Sequence, residues 1–170
     1  LLQKGEVDFD GLHYHAHASI ENPMPDVPVM AAALGRKAFP ACGEVTDGAI
    51  SWLCPGPYLK DVAVPALIEG AQKAGRTTPT LIAHFIACVD ENIDQVRAAV
   101  RNDFGFFAQS EHYISMFVAA GHPEVQNTQA WSDAMIDGAV IWGDEETAAQ
   151  KIQELLDMGA TEILVSVVHA

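Results

Sequence analysis

Basic residues are scarce in this sequence: nine Lys and Arg stand against 23 Asp and Glu, for a formal net charge of −14. That balance argues against nucleic acid and anionic membrane as partners, since both need clustered positive charge. We read the acidity as a solubility feature. Long apolar runs are missing too. The longest, Ile82–Val89 and Ile163–Val168, fall far short of the roughly 20 residues a membrane-spanning helix requires. Cysteine is limited to Cys42, Cys54 and Cys88, with no C-x-x-C pair. This speaks against a disulfide framework or a zinc cluster and for buried thiols in a cytoplasmic protein. The opening Leu1-Leu2-Gln3-Lys4-Gly5-Glu6 lacks the basic, then apolar, then small-residue order of a secretory signal. It also lacks an initiator Met, so the expectation is a chain that begins partway through a larger gene product. Neither a G-x-G-x-x-G fingerprint nor a G-x-x-x-x-G-K-[ST] loop occurs, and there is no low-complexity segment.

What is present is ordinary globular material. With 49% apolar and 19% charged residues, a chain of 170 suffices for one domain with a real core. Residues 1–27 carry few periodic signals and end in Asn22-Pro23-Met24-Pro25-Asp26, so they read as an extended, turn-rich lead-in. From 28 to 170, short apolar runs alternate with amphipathic stretches. Strands are expected near 28–33, 48–53, 80–88 and 161–168. After the first, Ala38, Cys42 and Val45 share one helical face, and Pro40 is tolerable only in that helix's first turn. Pro55-Gly56-Pro57 launches a helix to about Ala74, kinked at Pro65 and closed by Gly75. Residues 92–121 read as helical with Ile93, Val96, Ala99 and Val100 inward, and 122–140 as less regular. Asp144 caps a last helix with the face Ala148, Ile152, Leu155 and Leu156, and Gly159 suits the left-handed position after it. Apolar strands separated by amphipathic helices imply an α/β fold with a parallel sheet covered on both faces. Four such strands fit a small open sheet or half of an eight-stranded barrel, and pattern alone does not choose.

Two segments carry candidate chemistry. In Ala31-Ala32-Ala33-Leu34-Gly35-Arg36-Lys37, a small-residue strand end lets a planar ring approach the backbone. The glycine turn then exposes N–H groups at a helix N-terminus, a ready anion site, with Arg36 and Lys37 adding charge. Close helix–strand packing is the competing explanation of the small residues. In His13-Tyr14-His15-Ala16-His17, alternate residues of a strand share a face, so three imidazoles could meet one metal, as in a metal-dependent hydrolase. The sequence places no carboxylate to complete that site, and we expect no bound metal. His84 alternates with Ile82 and Ile86, and a hydrogen-bonded core histidine is the expectation. Phe104-Gly105-Phe106-Phe107, His112, Tyr113, Met116 and Phe117 form an aromatic-rich helical region. Asp90-Glu91 and Asp144-Glu145-Glu146 read as solvated helix starts.

The segment from Pro28 to Leu53, PVMAAALGRKAFPACGEVTDGAISWL, resembles the "AALGPK … AGE … ADG" stretch of luciferase-like monooxygenases. Within that superfamily it is most similar to the coenzyme F420-dependent oxidoreductases. The likeness continues through PGPYLKDVAVPALIEGAQKAGR to WGDEETAAQKIQELLDMGATEILVSV, and so covers the chain from about Phe9 onward. It implies a parallel (β/α)8 TIM-type barrel, of which residues 28–170 would be the C-terminal half, strands five to eight. It further implies an oxidoreductase acting on a small organic substrate, by hydride transfer with F420 or, alternatively, by monooxygenation with FMN. The cofactor phosphate would rest on the N–H groups of Leu34, Gly35, Arg36 and Lys37. Ala32 and Ala33 would line the approach to the ring, and His112, Tyr113 and Met116 would border the substrate entrance. Arg36 stands where these proteins often have Pro, which leaves the set of N–H donors open. No catalytic side chain is singled out, because the chemistry belongs to the cofactor ring. The partner implied is the missing N-terminal half of the barrel, with a homo-oligomer as a further assembly, and the isolated chain is expected to be inactive. The rival readings are a non-catalytic barrel remnant and the hydrolase using His13, His15 and His17.

Overall fold

The computed structural model describes residues 1–170, and its first element is a hairpin. β1 (Glu6–Asp10) pairs antiparallel with β2 (His15–Ser19), closed where the Gly11 N–H donates to the Tyr14 carbonyl at 2.8 Å. Alternation accounts for it. Val7, Phe9, Ala16 and Ala18 take one face, and Glu6, Asp8, Asp10, His15 and His17 the other. The hairpin lies within residues 1–27, the stretch the sequence reads as an extended lead-in. The two runs are short and mostly polar, and no Asn-Gly or Asp-Gly turn announces the pairing.

The main sheet has five strands: β3 (Met30–Ala32), β4 (Gly48–Trp52), β5 (Thr80–Val89), β6 (Val140–Gly143) and β7 (Glu162–Val167). All pairings are parallel, and β3, β4, β5 and β7 lie side by side in that order. Those four match the expected strands. β6 is a correction: it follows directly on a helix and has only four residues, so no turn punctuation marks it. It pairs with the far end of β5, Ile86–Val89, beyond the point where β4 ends against His84.

Proline and glycine shape the helices. α1 (Ala38–Val45) holds Pro40 as its third residue, where the missing N–H has no intrahelical role. Its buried residues are Phe39, Cys42 and Gly43, whereas Val45 is 76% exposed, so the expected face of Ala38, Cys42 and Val45 is rotated. The rotation is set by a close backbone crossing. A Cβ on Gly43 would sit 2.3 Å from the Leu67 carbonyl oxygen, and one on Gly70 only 2.0 Å from the Pro40 oxygen. α2 (Gly56–Tyr58) runs through a π-helical turn, Leu59–Ala63, into α3 (Val64–Lys73). The wide turn falls where Pro65 has no N–H to give and its ring crowds the preceding turn.

α4 (Ile93–Phe104) starts on Asn92, whose side chain accepts from the Gln95 N–H, and it buries Val96 and Val100. The single helical stretch expected over 92–121 breaks at Gly105 into a 3-10 turn and then α5 (Glu111–Ala119). α6 (Val125–Thr128) and α7 (Asp133–Ala139) lead to β6. α8 (Glu145–Asp157) begins on Asp144, whose carboxylate accepts from the Thr147 N–H at 2.8 Å, and Gly159 follows at φ +106°. The core lies between sheet and helices, with Phe39, Phe85, Phe117 and Leu81 fully buried. Ala49, Ser51, Leu81, Ala83 and Phe85 are turned into it, whereas Ile50, Trp52, Ile82 and His84 on the opposite face are only partly buried. Coverage of both faces fails most clearly at β7, where Leu164 is 48% exposed. β7 borders the sheet, with Ile163 and Val165 packed against the core and Leu164 turned the other way.

Candidate functional site

β3 delivers the chain into a turn at Leu34–Lys37, at the carboxyl end of the strand and ahead of α1. Ala33 still donates to the Ile50 carbonyl at 2.9 Å, and Ala38 donates back to Gly35 at 2.9 Å. Between them, the N–H groups of Leu34, Gly35, Arg36 and Lys37 have no acceptor within the chain. Four free donors at a helix start, beside two exposed cations, form a site of positive potential suited to an anion. Tyr58 braces the turn by donating its hydroxyl to the Leu34 carbonyl at 3.1 Å. Burial pushes the Tyr58 hydroxyl up to about 12, against the pull of Arg36, so it keeps its proton. Gly35 does not use a left-handed backbone, and a Cβ there would meet nothing within 4 Å. Its contribution is open space above the turn.

The turn opens on a cavity of about 440 Å³ lined by Gly35, Arg36, Lys37, Tyr58, His112 and Met116, among others. Two groups of residues singled out in the sequence, one on a loop and one on a distant helix, are thus neighbours. Tyr113 is the exception. It lies about 100° round α5 from His112, and its ring meets Phe107 edge-on at 4.7 Å instead of lining the cavity. Ala33 is buried, whereas Ala32 is exposed at the strand end and Leu34 is half-buried. Tyr58, Ser115 and Ala119 were missed as lining residues. The 112, 115, 116, 119 spacing was a readable helical face, but nothing in the sequence joined Tyr58 to Leu34.

On the less covered sheet face, Trp52, His84 and Leu164 occupy one row across β4, β5 and β7. The His84 imidazole lies 3.8 Å from the Trp52 ring, and its Nε2 is 2.9 Å from the Ser166 hydroxyl. Phe104 and Phe107 meet Trp52 edge-on at 6.0 and 5.9 Å. Burial lowers the His84 pKa and favours the neutral ring.

The hairpin histidines are engaged with carboxylates. His15 Nδ1 is 2.7 Å from Asp10, and His17 Nδ1 is 2.6 Å from Asp8. His13 lies outside β2, so the three imidazoles do not share a strand face. No three His, Cys, Asp or Glu side chains gather in a metal-holding arrangement. The three cysteines are free and buried, and burial raises the Cys54 thiol to about 12. No helix is long and apolar enough to cross a membrane.

A parallel α/β sheet with an anion-ready turn at a strand's carboxyl end is the arrangement of barrel and open-sheet proteins that bind phosphate-bearing ligands there. The chain belongs to the luciferase-like monooxygenase family, whose sequence profile matches residues 1–162. It is 24% identical to the 5,10-methylenetetrahydromethanopterin reductase of Methanopyrus kandleri, over 96% of this chain and 52% of that protein. It is 29% identical to the F420-dependent glucose-6-phosphate dehydrogenase of Beutenbergia cavernae, over 96% and 50%. Among solved structures, the coenzyme F420-dependent reductase from Methanopyrus kandleri superposes with TM-score 0.69 at 25% identity, covering 99% of this chain and 53% of that one. An F420-dependent secondary alcohol dehydrogenase superposes with TM-score 0.79 at 20% identity, covering 99% and 52%, a likeness of fold. An FMN-bound Baeyer-Villiger monooxygenase from Pseudomonas putida shares the fold at TM-score 0.62, with 13% identity and coverage of 98% and 52%. The chain spans about half the length of the relatives it matches.

Proposed function

We propose that this chain is the C-terminal half, strands five to eight, of a (β/α)8 oxidoreductase that binds coenzyme F420, with FMN as the alternative, and acts on a small organic substrate in the cytoplasm. The observation that carries the reading is the turn at Leu34–Lys37, with four unpaired N–H groups, two cations and open space above Gly35. These features fit the phosphate of such a cofactor. Leu34 to Lys37 would hold it, Tyr58 would keep the turn in shape, and Ala32 and Ala33 would border the ring. His112 and Met116, across the cavity, would border the substrate entrance, with Tyr113 supporting them through Phe107. When bound, the cofactor ring supplies the hydride chemistry, or the oxygen chemistry in the FMN case. The protein's part is to bind, orient and exclude water.

The half-barrel reading is supported by the parallel strands β3, β4, β5 and β7 lying side by side, by edges at β3 and β7, and by a span of about half the relatives' length. Open sheet edges pair with other strands. A second four-stranded half is the partner that fits, and a homo-oligomer is the other way to cover them.

The test is titration of the full-length polypeptide with F420 and with FMN, followed by cofactor fluorescence. Arg36→Ala should weaken binding about tenfold or less, as expected for one exposed charge-assisted contact. Gly35→Val should weaken it more, because its side chain enters ligand space without touching the protein. Wild-type affinity of Gly35→Val for both cofactors would remove the turn from the site.

A further inference from the structure

Outside the turn and its cavity, a second chemically distinctive group of side chains lies on the less covered sheet face. His84 is on β5, Ser166 on β7 and Trp52 at the last position of β4. They come from three different strands, and the parallel register brings them together. His84 Nε2 is engaged with the Ser166 hydroxyl at 2.9 Å, while Nδ1 has no hydrogen-bond partner in the chain. Trp52, its ring tilted by 42° against the imidazole at 3.8 Å and flanked by Phe104 and Phe107, is an apolar wall beside the His84 ring. Around them the same face presents Met30, Ala32, Ile50, Ile82 and Leu164, and the one charged side chain it adds is the acid Glu162, paired with Ile82, so no Lys or Arg of these strands stands near His84.

We infer that His84, oriented by Ser166 and walled by Trp52, is the contact for the hydroxyl or carbonyl oxygen of an uncharged substrate. The inference rests on the oxidoreductase reading given above and names the substrate class that this wall selects. The chemistry of the pair suits it. A hydroxyl can donate to or accept from Nε2, and the ring tautomer follows. With Ser166 donating to Nε2, Nδ1 carries the proton and donates to a carbonyl oxygen. With Ser166 accepting from Nε2, Nδ1 is bare and accepts from an alcohol. One pair therefore accommodates both the reduced and the oxidised form of an alcohol–carbonyl couple. A phosphate ester or carboxylate finds no cation on this wall, and a neutral imidazole does not replace one. Trp52 takes the hydrocarbon part of the substrate. Ser166 is a positioning residue; His84 makes the contact.

The experiment uses three probes with one body and different heads: cyclohexanol, cyclohexanone and cyclohexyl phosphate. Each is titrated into the full-length polypeptide with and without F420. Imidazole ¹⁵N shifts of His84, assigned by its loss in His84→Phe, report the contact directly and without turnover. Cyclohexanol and cyclohexanone should move the His84 nitrogens in opposite senses, as the tautomer follows the head group, and cyclohexyl phosphate should leave them in place. His84→Phe should weaken cyclohexanol binding at least fivefold while F420 affinity stays within twofold. Ser166→Ala should keep cyclohexanol binding within that fivefold range but shift the His84 Nε2 resonance of the ligand-free protein, because the hydroxyl bond to that nitrogen is lost. A simple packing role for Ser166 would not produce that signature. If His84→Phe fails to fold, His84→Asn supplies the assignment, and the wild-type titration then decides the matter. If neither uncharged probe moves His84, or the phosphate moves it most, the inference is overturned. A polypeptide that shows the His84 shifts but binds neither F420 nor FMN would overturn the cofactor reading instead.

Discussion

The two sheets of this molecule both arise from alternating strands and have very different supports. In the hairpin of β1 and β2, every residue but Val7 is exposed, and the side chains meet across the strands as His–Asp pairs in water. In the main sheet, β4 and β5 feed Ala49, Leu81, Ala83 and Phe85 into a continuous core under α1 and α3. Alternation creates a strand in both places, but only burial makes it costly to lose. Exposed ion pairs contribute about 0–1 kcal/mol each, whereas a buried Phe contributes several times that.

That contrast can be attacked where the packing is tightest. Gly70→Ala improves helix propensity by about 1 kcal/mol, yet its methyl would lie 2.0 Å from the Pro40 oxygen on α1. Overpacking of backbone against backbone costs about 1–3 kcal/mol or more, so the clash should win. The expected outcome is a net loss of about 2 kcal/mol in urea unfolding. A stabilised variant would mean that α1 and α3 can slide apart freely. Asp144→Ala tests a smaller, local support of the same body. Losing the cap on α8 should cost about 1 kcal/mol, read as a lower urea midpoint with an unchanged slope.

A pH effect should come from the main sheet, at His84. Burial holds the His84 pKa below its ordinary value, so below about pH 6.5 the unfolded chain binds this proton more readily than the folded one. Stability should therefore fall as pH drops through 6.5 towards the depressed folded value, and His84→Phe should flatten that part of the profile. An unchanged profile in the variant would place the acid sensitivity elsewhere. The smallest effect is expected at the hairpin. Asp10→Asn weakens contacts to His15 and His17 that are all solvent-exposed, and should change global stability by about 0.5 kcal/mol or less. A loss of 2 kcal/mol would show that the hairpin is integral to the main fold.

Much of this is legible in the sequence. The apolar runs at 30, 50, 85 and 165 became β3, β4, β5 and β7 because a strand buried against helices must be apolar along its length. Asp144 as a cap and Gly159 after α8 follow from local backbone chemistry that needs no distant partner. The turn at Leu34–Lys37 was marked by small residues and a glycine, and its free N–H groups follow from a helix starting there. Tertiary structure decided the rest. It rotated α1 so that Gly43 and Gly70 meet backbone, since helix periodicity cannot say which neighbour comes closest. It added β6, whose pairing depends on an extension of β5 past the end of β4. It set Asp8 and Asp10 opposite His17 and His15, a matter of hairpin register. It carried His112 and Met116 on α5 to the turn, and it joined His84 to Ser166 across 82 residues of chain. Local sequence fixes torsions and periods, whereas such meetings depend on the register and packing of elements far apart in the chain.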